Sequence, residues 1–320
     1  MSRIHEALKR AEQDRAAAQG AHVESPQTAE VSALAPAIGA PVVKSGAPTA
    51  VSAVPSNSSL LSTSPSTSLS AQSAYETLLA RCVPSNWSPD MKTMLFYNSE
   101  QGLGTEEFRT LRSRLYQMRE KQPLKKVLVT SSLPKEGKSF VAANLAQAMV
   151  RQHGRRVLLI DADLRASRLH LALGTALTPG LSEYLLGEAD EFGVMQRGAM
   201  ENLFFIPAGR STSNPAELVA NGRLNVLLSR VESLFDWIVI DSPPAVPVSD
   251  AGLMANHCDG VLMVVRSNAT PYDMARKARA EFDDKLLLGV VLNGVKGGSS
   301  AYSQYYSAYD RPGEKAEVPR

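Results

Sequence analysis

From residue 75 onward two hydrophobic patterns alternate along the chain. Short, nearly unbroken apolar runs occur at 126–130, 157–160, 203–206, 237–240, 261–265 and 288–292. Runs of this length, rich in Val, Ile and Leu, suit strands that are covered on both faces. Longer stretches with a polar side lie between them, at 105–120, 139–152, 222–234 and 272–282, and predict helices. Strand–helix alternation predicts an α/β fold, a doubly wound and mostly parallel sheet.

Upstream the pattern fails. Between Ala16 and Ser73 the only charged residues are Glu24, Glu30 and Lys44, no aromatic residue occurs, and Ala, Ser, Pro and Thr dominate. Such a segment cannot bury enough surface to offset its ordering entropy, so residues 20–74 are expected to be a disordered linker. Residues 1–19 carry Ile4, Leu8 and Ala11 on one helical face, with Ser2 placed to cap it. That short amphipathic helix reads either as a frayed terminus or as a docking peptide on a flexible arm. The expected organisation is a helix (1–19), a linker (20–74), a folded domain (75–300) and a tail (301–320).

Composition narrows the function classes. In 320 residues, 34 Lys and Arg face 32 Asp and Glu, a net charge of +2. That balance gives no electrostatic case for a nucleic-acid partner. The apolar runs fall short of the roughly 18 residues that span a bilayer, and the charged first residues do not resemble a signal peptide. Cys82 and Cys258 are the only cysteines, without metal-ligand spacing. The expected setting is therefore a reducing cytoplasm, with no disulfide framework or zinc site.

The first strong strand runs into Ser132-Leu-Pro134-Lys135-Glu136-Gly137-Lys138-Ser139-Phe140 and then a helical pattern. This is the phosphate-loop arrangement, with Ser132 in the place of its first glycine. A loop entering a helix points free N–H groups at one spot, and the helix dipole adds partial positive charge. Gly137 lets the backbone approach a phosphate, Lys138 brings a full charge to the β/γ-phosphates, and the Ser139 hydroxyl can ligate Mg²⁺. Two further strands end in acids: 157–160 runs into Asp161-Ala-Asp163-Leu-Arg165, and 237–240 into Asp241-Ser-Pro-Pro. Ligands of open α/β sheets bind at such strand ends. One Asp there is often a turn former; three beside a phosphate loop point to a cation–phosphate site.

With these residues the chain resembles the bacterial protein-tyrosine kinases of capsule and exopolysaccharide systems, a branch of the P-loop ATPases. The resemblance extends over about 75–309. Ser132–Ser139 resembles the family's first nucleotide motif, Asp161–Arg165 its additional acidic motif, and Asp241–Pro244 with Ser249-Asp250-Ala251 its second nucleotide motif. Glu106, Arg109 and Arg112 are similar to the segment through which members associate into rings. Tyr302, Tyr305, Tyr306 and Tyr309 crowd the tail, where Gly, Ser, Asp and Pro predict exposure.

The resemblance implies an ATP- and Mg²⁺-dependent autokinase that modifies those four tyrosines on a neighbouring copy. It implies nucleotide contacts from Ser132, Pro134, Lys135, Glu136, Gly137, Lys138, Ser139 and Phe140. Ser139, Asp161 and Asp241 are the expected Mg²⁺ holders; Lys138, Asp161 and Asp163 are the catalytic candidates, with Asp163 placed to orient or deprotonate a phenol. Asn293 resembles an adenine-reading position, or simply ends its strand before Gly294. Implied partners are a membrane polysaccharide copolymerase (chain-length determinant) as activator, further copies in a ring, and an opposing tyrosine phosphatase. The implied location is the inner face of the plasma membrane, reached through that partner. Two departures stand out: Ala166-Ser167 replaces the usual Arg-Pro, and Leu133 replaces the second lysine of the partitioning ATPases. The alternatives are a spatial-organising ATPase without tyrosine kinase activity and a non-catalytic scaffold.

Overall fold

The computed structural model describes residues 66–97, 104–198 and 200–295. The expected N-terminal helix, the first part of the linker and the tyrosine-rich tail lie outside the described residues.

The six apolar runs are strands: β2 (Lys126–Ser131), β3 (Val157–Asp161), β5 (Leu203–Ile206), β6 (Trp237–Asp241), β7 (Gly260–Arg266) and β8 (Leu287–Asn293). Two short strands join them, β1 (Val83–Pro84) and β4 (Gln196–Arg197). They form one eight-stranded sheet in the order β1-β4-β5-β3-β6-β2-β7-β8. All neighbours are parallel except β4 and β5.

Alternation along each strand separates two apolar layers. Leu128, Leu158, Ile160, Phe204, Ile238 and Ile240 face one side. Covering that side are residues of α1 (Ser66–Arg81), α5 (Leu181–Leu186), α6 (Pro215–Ala220), α7 (Arg223–Val231), α8 (Asp250–Ala255) and α9 (Tyr272–Ala280). Val127, Val129, Leu159, Phe205, Trp237 and Val239 face the other, under α2 (Thr105–Arg119), α3 (Lys138–Val150) and α4 (Leu169–Leu173). Helix α3 is buried from Val141 through Val150, which explains its lack of a polar face. By contrast α7 buries only the stripe Leu224, Leu227, Leu228 and Val231.

One boundary moves. Helix α1 begins at Ser66, inside the segment expected to be linker. Its first turns have no apolar period, so nothing in them signals a helix. Its anchor comes at the far end, where Leu78 and Cys82 are buried in the layer that holds Phe204 and Ile206. The domain boundary expected at 74/75 therefore falls within a helix. No helix among the described residues is long and apolar enough to cross a membrane.

Candidate functional site

The carboxyl ends of β2, β3 and β6 converge on the start of α3. Gly137 caps that helix at φ 96°, in the left-handed region that glycine alone enters freely. A Cβ there would also lie 2.0 Å from the Asn293 side-chain nitrogen, so any other residue would have to displace Asn293 from the loop. Asn293 Nδ2 donates to the Glu136 carbonyl at 2.9 Å, and Asn293 Oδ1 accepts from Gly294 N–H at 2.9 Å. The end of β8 thus leans directly on the phosphate loop, although 157 residues separate Asn293 from Glu136.

Strand register brings the acids together. Asp161 and Asp241 are direct partners across β3 and β6, about 4.8 Å apart along the hydrogen-bonding direction. Both are fully buried. Asp161 accepts from Asp163 N–H (3.2 Å), the Ser167 hydroxyl (2.7 Å) and Leu169 N–H (3.2 Å). Three hydrogen bonds use most of a carboxylate's roughly four acceptor sites. Neither oxygen of Asp241 accepts one, and the Ser132 hydroxyl is likewise buried without a partner. The Ser139 hydroxyl lies near enough to favour a charged Asp241, but not at hydrogen-bonding geometry.

Lys138 supplies the counter-charge. Its Nζ sits 2.8 Å from Asp163 Oδ2, while Asp163 Oδ1 accepts from Ala166 N–H at 3.0 Å. Burial works against the ammonium charge, but Asp241, Asp163 and Asp161 outweigh it and hold Lys138 above its ordinary pKa. Burial pushes the Asp161 and Asp241 carboxyls up; Asp163 raises Asp161 further, and at Asp241 the ammonium of Lys138 pulls down against the added push of Asp161 and Asp163. One lysine among three acids leaves the pocket short of positive charge.

A bound cation would satisfy that deficit. The bare oxygens of Asp241 and the nearby Ser139 hydroxyl are hard oxygen donors that suit Mg²⁺. No cluster of three or more metal-ligating side chains occurs among the described residues.

The remaining expected residues fare differently. Pro134 and Lys135 are exposed on the loop. The Glu136 side chain turns inward, accepting from Leu133 N–H at 2.9 Å, so only its backbone N–H is left for a phosphate. The Phe140 ring packs edge-on against Phe108, 5.8 Å between centroids. Its contribution is confined to the backbone as well. Glu106 and Arg109 pair with each other on the exposed side of α2. Arg112 instead donates to the Ala148 carbonyl of α3 at 2.8 Å, tying the two helices together. The four tail tyrosines lie outside the described residues.

Two side chains support the site in ways that the motifs alone do not specify. Ser167, noted only as a departure, links Asp161 to His170 Nδ1 (3.1 Å). Asp250, at the start of α8, grips Arg165 through both oxygens at 2.8 and 3.0 Å. The Asp250–Arg165 pair joins residues 85 positions apart, whereas Ser167 meets partners six and three positions away, in a turn whose geometry no hydrophobic period reveals.

Comparison with known proteins agrees with this geometry. A family model described as an AAA domain matches residues 135–274. Tyrosine-protein kinase YwqD of Bacillus subtilis is 32% identical over 221 residues, 68% of this chain and 93% of that protein. Tyrosine-protein kinase wzc of Salmonella typhimurium is 32% identical over 220 residues, 68% of this chain but 30% of that longer protein. Among solved structures, the kinase domain of Escherichia coli tyrosine kinase ETK superposes with a TM-score of 0.61 at 28% identity, covering 67% of this chain and 84% of that one.

Proposed function

The chain belongs to the bacterial protein-tyrosine kinases, and on that premise we propose that it transfers the terminal phosphate of ATP to its own tail tyrosines, on a neighbouring copy, to regulate capsule or exopolysaccharide production. It is an ATP-dependent protein-tyrosine kinase with a P-loop fold. The observation that carries the residue-level reading is Asp241, a buried carboxylate with both oxygens bare, beside Lys138 where the Gly137-capped helix begins.

Phosphoryl transfer needs positioning and charge stabilisation more than covalent help. The N–H groups of Lys135 to Ser139 surround the β-phosphate, and Lys138 turns from Asp163 to the phosphates. Ser139 and Asp241 would hold Mg²⁺, with Asp161 beside Asp241 on the adjoining strand. Bound there, Mg²⁺ offsets the negative charge of the phosphates. Once Lys138 has turned, Asp163 Oδ2 is free to take the phenol proton. A phenol of pKa about 10 is almost fully protonated at neutral pH, so a base has work to do. The phenol oxygen gains the phosphorus, the bond to the bridging oxygen breaks, and ADP leaves.

Copies associate in a ring through Glu106 and Arg109, whose intrahelical pair is exposed and cheap to exchange. Arg112 serves that surface by fixing α2 on α3. A membrane polysaccharide copolymerase brings the kinase to the inner face of the membrane and activates it, and a tyrosine phosphatase reverses the modification. Asn293 stands where adenine would meet β8. A spatial-organising ATPase is the lesser reading, since the relatives matched are tyrosine kinases. Incubation with Mg-ATP followed by phosphotyrosine blotting tests the proposal. Wild type should label and Lys138→Met should not; ATP hydrolysis without any phosphotyrosine would contradict it. Light scattering checks the ring: Glu106→Ala with Arg109→Ala should lower the assembled mass.

A further inference from the structure

The back of the phosphate loop is clamped by residues that lie more than a hundred positions away. Lys135 takes φ 67°, a left-handed conformation that is disfavoured for a residue with a Cβ. Its carbonyl accepts from Arg266 Nη1 at 3.0 Å. Glu136 is only 4% exposed. One of its carboxylate oxygens takes Leu133 N–H and the other takes the Thr270 hydroxyl. Thr270 Oγ1 in turn accepts from Arg266 N–H at 3.0 Å. Arg266 and Asn293, the last residues of β7 and β8, are register partners, and Asn293 holds the Glu136 carbonyl. Two strand ends and the turn after β7 therefore grip two consecutive loop residues.

We propose that Arg266 and Thr270 are positioning residues that set the phosphate loop for nucleotide. Both act through Lys135 and Glu136. Arg266 holds the Lys135 carbonyl away from the cradle and sustains its left-handed turn. Thr270 occupies the Glu136 carboxylate. Without that hydroxyl, a buried carboxylate takes the nearest donors available, and those are the loop N–H groups that a phosphate needs. Glu136 would then both consume the donors and repel the triphosphate. The inference rests on the reading that this loop takes ATP.

The test is titration of the full chain with a fluorescent ATP analogue in Mg²⁺, alongside ATP saturation kinetics and melting curves. Thr270→Val should weaken binding roughly tenfold. It should raise KM for ATP more than it lowers kcat. Thr270→Ser, which keeps the hydroxyl, should return affinity to within about twofold of wild type. Arg266→Met, at an exposed position, should weaken binding about threefold and gives the same reading if Thr270→Val does not fold. Wild-type affinity in Thr270→Val and Arg266→Met, or a melting shift with no change in affinity, would overturn the proposal. A wild type that binds no nucleotide would instead remove the underlying reading of the loop.

Discussion

At Asp241 the fold buries a carboxyl that it does not itself satisfy. Most buried carboxylates are paired or hydrogen-bonded; this one has two bare oxygens next to Asp161. Its pKa is raised chiefly by burial. A carboxyl with a raised folded-state pKa binds its proton more tightly when folded. Its contribution to stability is present at low pH and is lost as pH climbs from the ordinary carboxylate range, about 4, toward the raised value. Asp241→Asn should therefore flatten the fall in melting temperature above about pH 5 in nucleotide-free protein and raise stability at pH 8. The same change should weaken Mg²⁺-dependent nucleotide binding. Parallel melting curves for both proteins from pH 5 to 9 would contradict this. At this scale the sequence was eloquent about identities: Lys138, Asp161, Asp163 and Asp241 all meet. It was silent about their pairings. That Asp163 is held by Lys138 and that Phe140 packs on Phe108 depends on how separate elements pack, and that Glu136 turns inward and Ser167 supports Asp161 depends on loop geometry that no hydrophobic period encodes.

Among the elements, five strands, β2, β3, β5, β6 and β7, were legible because burial on both faces demands nearly unbroken apolar runs, and the edge strand β8 was legible from its apolar run alone. Helix α1 was not. Its sequence is Ser-rich, and its attachment depends on Leu78 and Cys82 near its end. Leu78 is fully buried, so Leu78→Ala should cost about 2–5 kcal/mol, read as a shift in the denaturant midpoint. A cost below about 1 kcal/mol would mean that α1 is not part of the cooperative unit. Strands β1 and β4, of two residues each, carry no periodicity to detect. Strand β8 is the element whose role exceeds its pattern: it closes the sheet and also delivers Asn293 to the loop.

Along the whole chain, four of the nine tyrosines fall within eight positions, 302–309, shortly after β8 ends at Asn293. The last residues of β8 touch the loop that receives the nucleotide. Each added phosphate brings about −1.5 to −2 charges, so a fully modified tail carries enough charge to repel its neighbours and loosen an assembly. The most direct test mixes two variants with Mg-ATP: Lys138→Met with an intact tail, and an active chain with Phe at 302, 305, 306 and 309. Mass mapping should find phosphate on the tail of the Lys138→Met chain. A tail left unmodified in the mixture, while wild type alone labels its own, would contradict transfer between copies.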